Sequence, residues 1–150
     1  MLGTAMTQQQ VPNVRVWVKG QEYVEAAEIL LDYVRIQPAA VLSALAIEIF
    51  VKSFLATRLA SGHAITHRGH KIVESFELIP QNLQTKFLAA SKTIDPTVNI
   101  SEELEKYADV FLVARYWYEP TAPFSVGSDI VYFARHMCDS VFLFGKNREH

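Results

Sequence analysis

Residues 38–61 are apolar around most of a helical circumference, from Pro38 through Leu42, Ile47, Phe50 and Leu55 to Ser61. At 3.6 residues per turn this stretch spans about six turns. A helix with no polar face cannot lie on a surface, so other helices must wrap it. Glu48 and Lys52 interrupt it. Four positions apart, they stack on one face and can pair. A charge inside an apolar helix is costly unless it is paired. The two residues therefore read either as a polar site within a bundle or as a structural ion pair.

The flanking chain supplies the wrapping. Residues 14–19 alternate apolar and polar like a strand but have no partner run, and read as the lead-in to a helix. From Gly20, the residues Tyr23, Ala26, Ala27, Leu30 and Val34 mark one helical face. Glu25, Glu28, Asp32 and Arg35 mark the solvated one. Pro38 and Gln37 separate this helix from the central one, which stops at Ser61 and Gly62. A third helix starts near His70 along Ile72, Val73, Phe76 and Ile79. Pro80 breaks it, and Leu83, Phe87 and Leu88 predict another short helix. Asp95 and Pro96 make a turn. Ser101, followed by Glu102 and Glu103, is a helix start in which a hydroxyl caps and acids meet the positive dipole end. Leu104, Ala108, Phe111 and Arg115 fall on one line, which turns an arginine towards the core. Ser128 and Asp129 cap the last helix, with a stripe of Ile130, Phe133, Met137, Val141 and Phe144, and Gly145 closes it. The pattern predicts an all-α protein: an antiparallel, up-and-down bundle of four to five helices over residues 14–145, with a flexible tail at 1–13 and another at 146–150.

Half of the residues are hydrophobic and 20% are charged, which excludes a disordered chain. A net charge of −2 gives no global electrostatic case for nucleic acid. One cysteine, Cys138, excludes an internal disulfide and the usual zinc patterns, and fits a reducing cytoplasm. The polar beginning is no signal peptide. The apolar run at 38–47, interrupted by Ser43 and closed by Glu48, is too short for a membrane span, so no membrane partner is expected.

Chemistry has few candidates. Arg115 offers a planar, permanently charged fork suited to phosphate or carboxylate, with Glu48 or Glu119 as its internal alternatives. Between Ile49 and Val73 there is no acid, while Lys52, Arg58, Arg68, Lys71, His63, His67 and His70 all lie there. That is a local cationic patch at a helix start, where free N–H groups favour an anion. The three histidines lack a carboxylate or cysteine nearby, so no metal is expected. Tyr116, Trp117 and Tyr118 can stack on bases or pack in a core. Cys138 has no catalytic neighbours in sequence and reads as a core residue. No cofactor-binding loop is present.

Three stretches taken together resemble HEPN-domain proteins. Residues 44–55, with Glu48 and Lys52, resemble the second helix of that family. Gly69, His70, Lys71, Ile72 and Val73 resemble the opening of its next helix. Arg115, Tyr116, Trp117, Tyr118 and Glu119 resemble its late arginine–tyrosine segment. The resemblance covers about residues 20–145. It implies an all-α bundle, commonly a homodimer, in the cytoplasm, associated with RNA or nucleotide and found in toxin–antitoxin or phage-defence settings, with an antitoxin-type protein as a further partner. Glu48, Lys52, Lys71, Tyr116 and Glu119 are the candidate ligand-binding residues. Arg115 aligns with the catalytic arginine of the family's ribonucleases, and His70, on another helix, is the candidate to supply a catalytic imidazole. The family's histidine, four to six residues after the arginine, is replaced here by Pro120, Thr121 and Ala122. A non-catalytic or weakly active module is therefore the leading expectation. A ribonuclease toxin using Arg115 with His70, and a plain dimerisation or interaction domain, are the alternatives.

Overall fold

A computed structural model describes residues 11–55, 57–58, 64–65, 71–113 and 127–148. They form α1 (Val14–Asp32), α2 (Ile36–Ser53), α3 (Ile72–Glu77), α4 (Gln81–Ile94), α5 (Ile100–Val113) and α6 (Asp129–Arg148). The two-residue strands β1 (Thr57–Arg58) and β2 (Ala64–Ile65) pair antiparallel between α2 and α3. The protein is all-α in character, with six helices described where the sequence pattern gave four to five.

The strand-like run at the start is helical because its two periods differ in consequence. Asn13 caps α1, its side-chain oxygen accepting from Val16 N at 3.2 Å. Val14 and Val18 then fall on the outer face, while Gly20, Val24 and Ala27 are buried. The buried stripe is thus shifted from the expected one: Tyr23 and Val34 are exposed, and Glu28, expected on the solvated face, points at α6. Residues 11–13, read from sequence as tail, join the fold. Pro12 is buried, Val11 packs on the core, and Asn13 N donates to Ser53 O at 2.7 Å. That bond ties the start of α1 to the end of α2 and makes the pair antiparallel.

α2 is the hub, touching α1, α3, α5 and α6. Ala39, Ala40, Ser43, Ala44, Ala46, Ile47, Phe50, Val51 and Ser53 are all buried along it. It begins two residues before Pro38 and ends at Ser53, well short of Ser61. Proline is harmless in a first turn, where its missing N–H has no intrahelical partner. Among the described residues α2 alone is long and apolar enough to cross a membrane, and 50% of that window is buried inside the fold, as in a core helix. Gly20 faces Phe50 so closely that a Cβ there would lie 2.5 Å from the ring.

α1 ends in an unusual way. Val34 N donates to Leu31 O and Arg35 N to Leu30 O, both at 2.8 Å. This crossed pair closes a helix through one left-handed residue, a position that glycine fills most easily. Here it is Val34, with φ 60°. A β-branched residue in that region is a true outlier.

α6 realises the predicted stripe: Ile130, Phe133, Met137, Val141 and Phe144 are all buried. It runs past Gly145 to Arg148, three residues further than the glycine suggested. α6 is antiparallel to α1, as Trp17 meets Cys138 and Glu28 meets Arg135. At the other side Phe54 stacks edge-on against both Phe87 of α4 and Phe144 of α6, with centroids 5.2 and 5.1 Å apart. α4 is a full 14-residue helix rather than a short one. Asn99, not Ser101, caps α5, accepting from Glu102 N at 3.1 Å. Glu102 and Glu103 occupy its first turn as expected.

Candidate functional site

The pair expected on the central helix is made. Lys52 Nζ donates to Glu48 Oε1 at 2.8 Å, and the two side chains are only 17% and 15% exposed. α2 presents them in a partly desolvated setting, where an ionic hydrogen bond is stronger than in water. Lys71 is also described. It is exposed, precedes α3, and approaches Glu74 Oε1 at 3.7 Å. α3 starts at Ile72 and has six residues, so the anion-favouring helix start expected at His70 and Lys71 is one short turn with its own acid in place. His70, Arg115, Tyr116 and Glu119 lie outside the described residues, as do His63, His67 and Arg68. Of the seven residues read as a site, only Glu48 and Lys52 are brought together by the described geometry, and Lys71 stands apart as an exposed cation.

Two polar clusters escaped the sequence reading. In the first, His136 of α6 is buried, with Nε2 2.7 Å from Ser91 Oγ on α4 and 3.3 Å from Ser140 Oγ one turn on. Its ring lies nearly parallel to Phe133. Burial lowers its pKa, opposed by Asp95 and Asp139. A serine oxygen at hydrogen-bond distance from an imidazole is the geometry of an activated nucleophile. Ser91, however, is 1% exposed, and no substrate reaches it. The cluster is a clasp between α4 and α6. Its only sequence signal is the four-residue spacing of His136 and Ser140; Ser91 is too distant in the chain to suggest itself.

In the second, Arg135 of α6 grips Glu28 of α1 with both arms, Nε to Oε2 at 2.9 Å and Nη2 to Oε1 at 2.6 Å. Its remaining nitrogen reaches Asp139 Oδ1 at 3.5 Å. The hydrogen bonds that Arg135 donates to Glu28 push the guanidinium pKa further up. With two carboxylates around it, this arginine is committed and offers nothing to a phosphate. Cys138 beside it is buried and its thiol is pushed up to about 12 by that burial. It is an inert core residue, as its sequence context suggested. At the head of α6, Asp129 accepts from Tyr107 Oη at 2.8 Å and from Lys106 Nζ at 3.3 Å, which lowers its own pKa; burial, and then the bond to Asp129, raise that of the tyrosine.

Among the described residues no group of three or more His, Cys, Asp or Glu side chains is placed to hold a metal ion. Among the same residues Ser43 Oγ, on α2, is the single fully buried side-chain oxygen or nitrogen without a hydrogen-bond partner. The described polar interior is thus arranged to join helices. No family model, curated protein or solved structure matches the chain.

Proposed function

We propose that this chain is a HEPN-like helical module, an up-and-down bundle that associates with RNA or nucleotide phosphate and is non-catalytic or weakly active. The proposal includes a cytoplasmic homodimer in a defence or toxin–antitoxin setting, with an antitoxin-type protein as partner. The observation that carries it is the Glu48–Lys52 pair. It lies at 2.8 Å, largely withdrawn from water, on the helix that α1, α3, α5 and α6 pack against. α3 and α5, which both touch α2, are the helices next in sequence to His70 and to Arg115. A phosphate held near that pair would draw on the cationic segment that α2 leads into.

Binding tests this directly. A labelled RNA and a labelled nucleoside triphosphate are titrated against the full chain at rising salt. Log affinity should fall with log salt, and Lys71→Glu should weaken binding and flatten that slope. Absence of salt-dependent binding to both probes would refute the reading. Incubation with labelled RNA addresses the ribonuclease alternative: cleavage that disappears in both Arg115→Ala and His70→Ala would establish it.

A second reading, a dimerisation module without a ligand, draws on a different observation. The buried His136–Ser91 cluster and the half-buried Arg135–Glu28 cluster are both spent on helix–helix contacts. A large loss of thermal stability in Arg115→Ala with unchanged RNA binding would favour it.

A further inference from the structure

The turn between α1 and α2 carries four exposed apolar side chains: Ile29 at 59%, Tyr33 at 75%, Val34 at 74% and Ile36 at 38%. Single exposed apolar residues are ordinary, but four gathered at one tip are not. The tip is also strained. Val34 occupies the left-handed region at φ 60°, and the strained backbone holds its side chain out in water. Strain of this kind persists where the surrounding structure holds it, and it clusters at functional sites. Within one copy the two hydrogen bonds that close α1 offset part of it, while the Val34 side chain stays exposed.

The charges at the tip say what would cover it. Asp32 and Arg35 flank Tyr33 and Val34, both are exposed, and neither forms an ion pair among the described residues. The helix ends between them, so they cannot meet along a common face. A partner of one charge sign would satisfy one of the two and repel the other. A second copy of the same tip satisfies both. A twofold axis through the tip would let each Arg35 pair with the other copy's Asp32 and bring the apolar side chains together, as an isologous contact requires.

We infer that the α1–α2 turn is the contact between two copies of this chain, formed by Ile29, Tyr33, Val34 and Ile36 and framed by reciprocal Asp32–Arg35 pairs. This rests on the homodimer in the proposed reading and gives it a place. Six residues are fewer than the roughly 20–30 a side of a standard interface, so the dimer is a weak, reversible one, sought at micromolar concentrations.

Sedimentation velocity of the full chain between about 1 and 300 μM, a range that brackets such a dissociation constant, is the test. The wild type should shift from monomer to dimer across the range. Tyr33→Asp should stay monomeric with an unchanged circular dichroism spectrum. Asp32→Arg and Arg35→Asp should each weaken the dimer by about tenfold, since each reversal spoils two symmetric contacts. The double reversal, Asp32→Arg with Arg35→Asp, should restore it, which damage to folding would not do. A wild type that stays monomeric overturns both this contact and the homodimer. A dimer that survives Tyr33→Asp, or a double reversal that fails to restore, overturns the contact and leaves the homodimer standing. RNA binding serves as a separate readout, because no tip residue belongs to the proposed phosphate site.

Discussion

Gly20→Ala would ordinarily stabilise a helix, by about 1 kcal/mol relative to glycine. In α1 it should do the reverse. A methyl at Gly20 would sit 2.5 Å from Phe50 Cε1, 2.8 Å from Cδ1 and 3.0 Å from Cζ. Carbon atoms rest at about 3.5–4.0 Å, so the overlap is roughly 1 Å at the nearest atom. Phe50 is fully buried and cannot swing into solvent. Either the ring leaves its rotamer or α1 moves off α2, and overpacking of this kind costs about 1–3 kcal/mol. An overlap of about 1 Å with a ring that cannot move away puts the cost in the upper part of that range, about 2–3 kcal/mol, so set against the propensity gain the net loss should be about 1–2 kcal/mol. At about 2–4 °C per kcal/mol for a chain of this length, the melting temperature should fall by roughly 2–8 °C. Urea unfolding followed by circular dichroism measures it, with Phe50→Leu as the partner variant. Trimming the ring makes room for the methyl, so the double variant should lose less than the sum of the two single losses, by at least about 0.5 kcal/mol. A Gly20→Ala protein as stable as wild type, or strictly additive losses, would refute the claim that this glycine exists for close approach.

Val34→Gly should raise stability by about 1 kcal/mol, because relief of left-handed strain exceeds the added freedom of the unfolded chain; chemical denaturation checks this, and a loss would show that the turn is unstrained. His136 should make stability depend on mildly acidic pH. Its folded-state pKa lies below the ordinary 6.5, so the neutral form is favoured by folding, and its contribution is complete above that value and lost as pH falls through the folded pKa. Urea midpoints between pH 5 and 7.5 should decline towards acid in the wild type, and this decline should be shallower in His136→Gln. Glu28→Gln should cost about 1 kcal/mol, the upper end for a partly exposed but two-armed pair, and a cycle with Arg135→Gln should show coupling that shrinks with salt. Cys138 should not react with a thiol reagent such as Ellman's reagent in the native protein at pH 8, and should react at once in denaturant.

The two ends of the chain were unequally legible. The α6 stripe could be read because Ile130, Phe133, Met137, Val141 and Phe144 repeat at helical spacing against one continuous core. The all-α class followed from the same periodicity. The limits of α2 could not be read, since Ser53 and Phe54 differ little in character from what precedes them, and the helix stops where Phe54 turns to meet Phe87 and Phe144. Glu28 looked like a surface acid because Glu25 and Asp32, three and four positions away on the same helical face, are acids. Its partner, Arg135, lies far along the chain, and only packing brings them together. The same holds for Ser91 and His136. The Glu48–Lys52 pair was legible because a helix places such residues side by side whatever surrounds them. Arg115, His70, Tyr116 and Glu119 rest on sequence alone.

Trp17 lies across the seam of α1 and α6, its indole N–H donating to Cys138 O at 3.2 Å and its ring 5.7 Å from Phe142. The chain has one other tryptophan, Trp117. Replacing that one by phenylalanine would leave a single fluorophore whose colour registers whether the first and last helices are still joined. Light emitted from that one ring would then tell an unzipping of the seam apart from the collapse of the whole bundle.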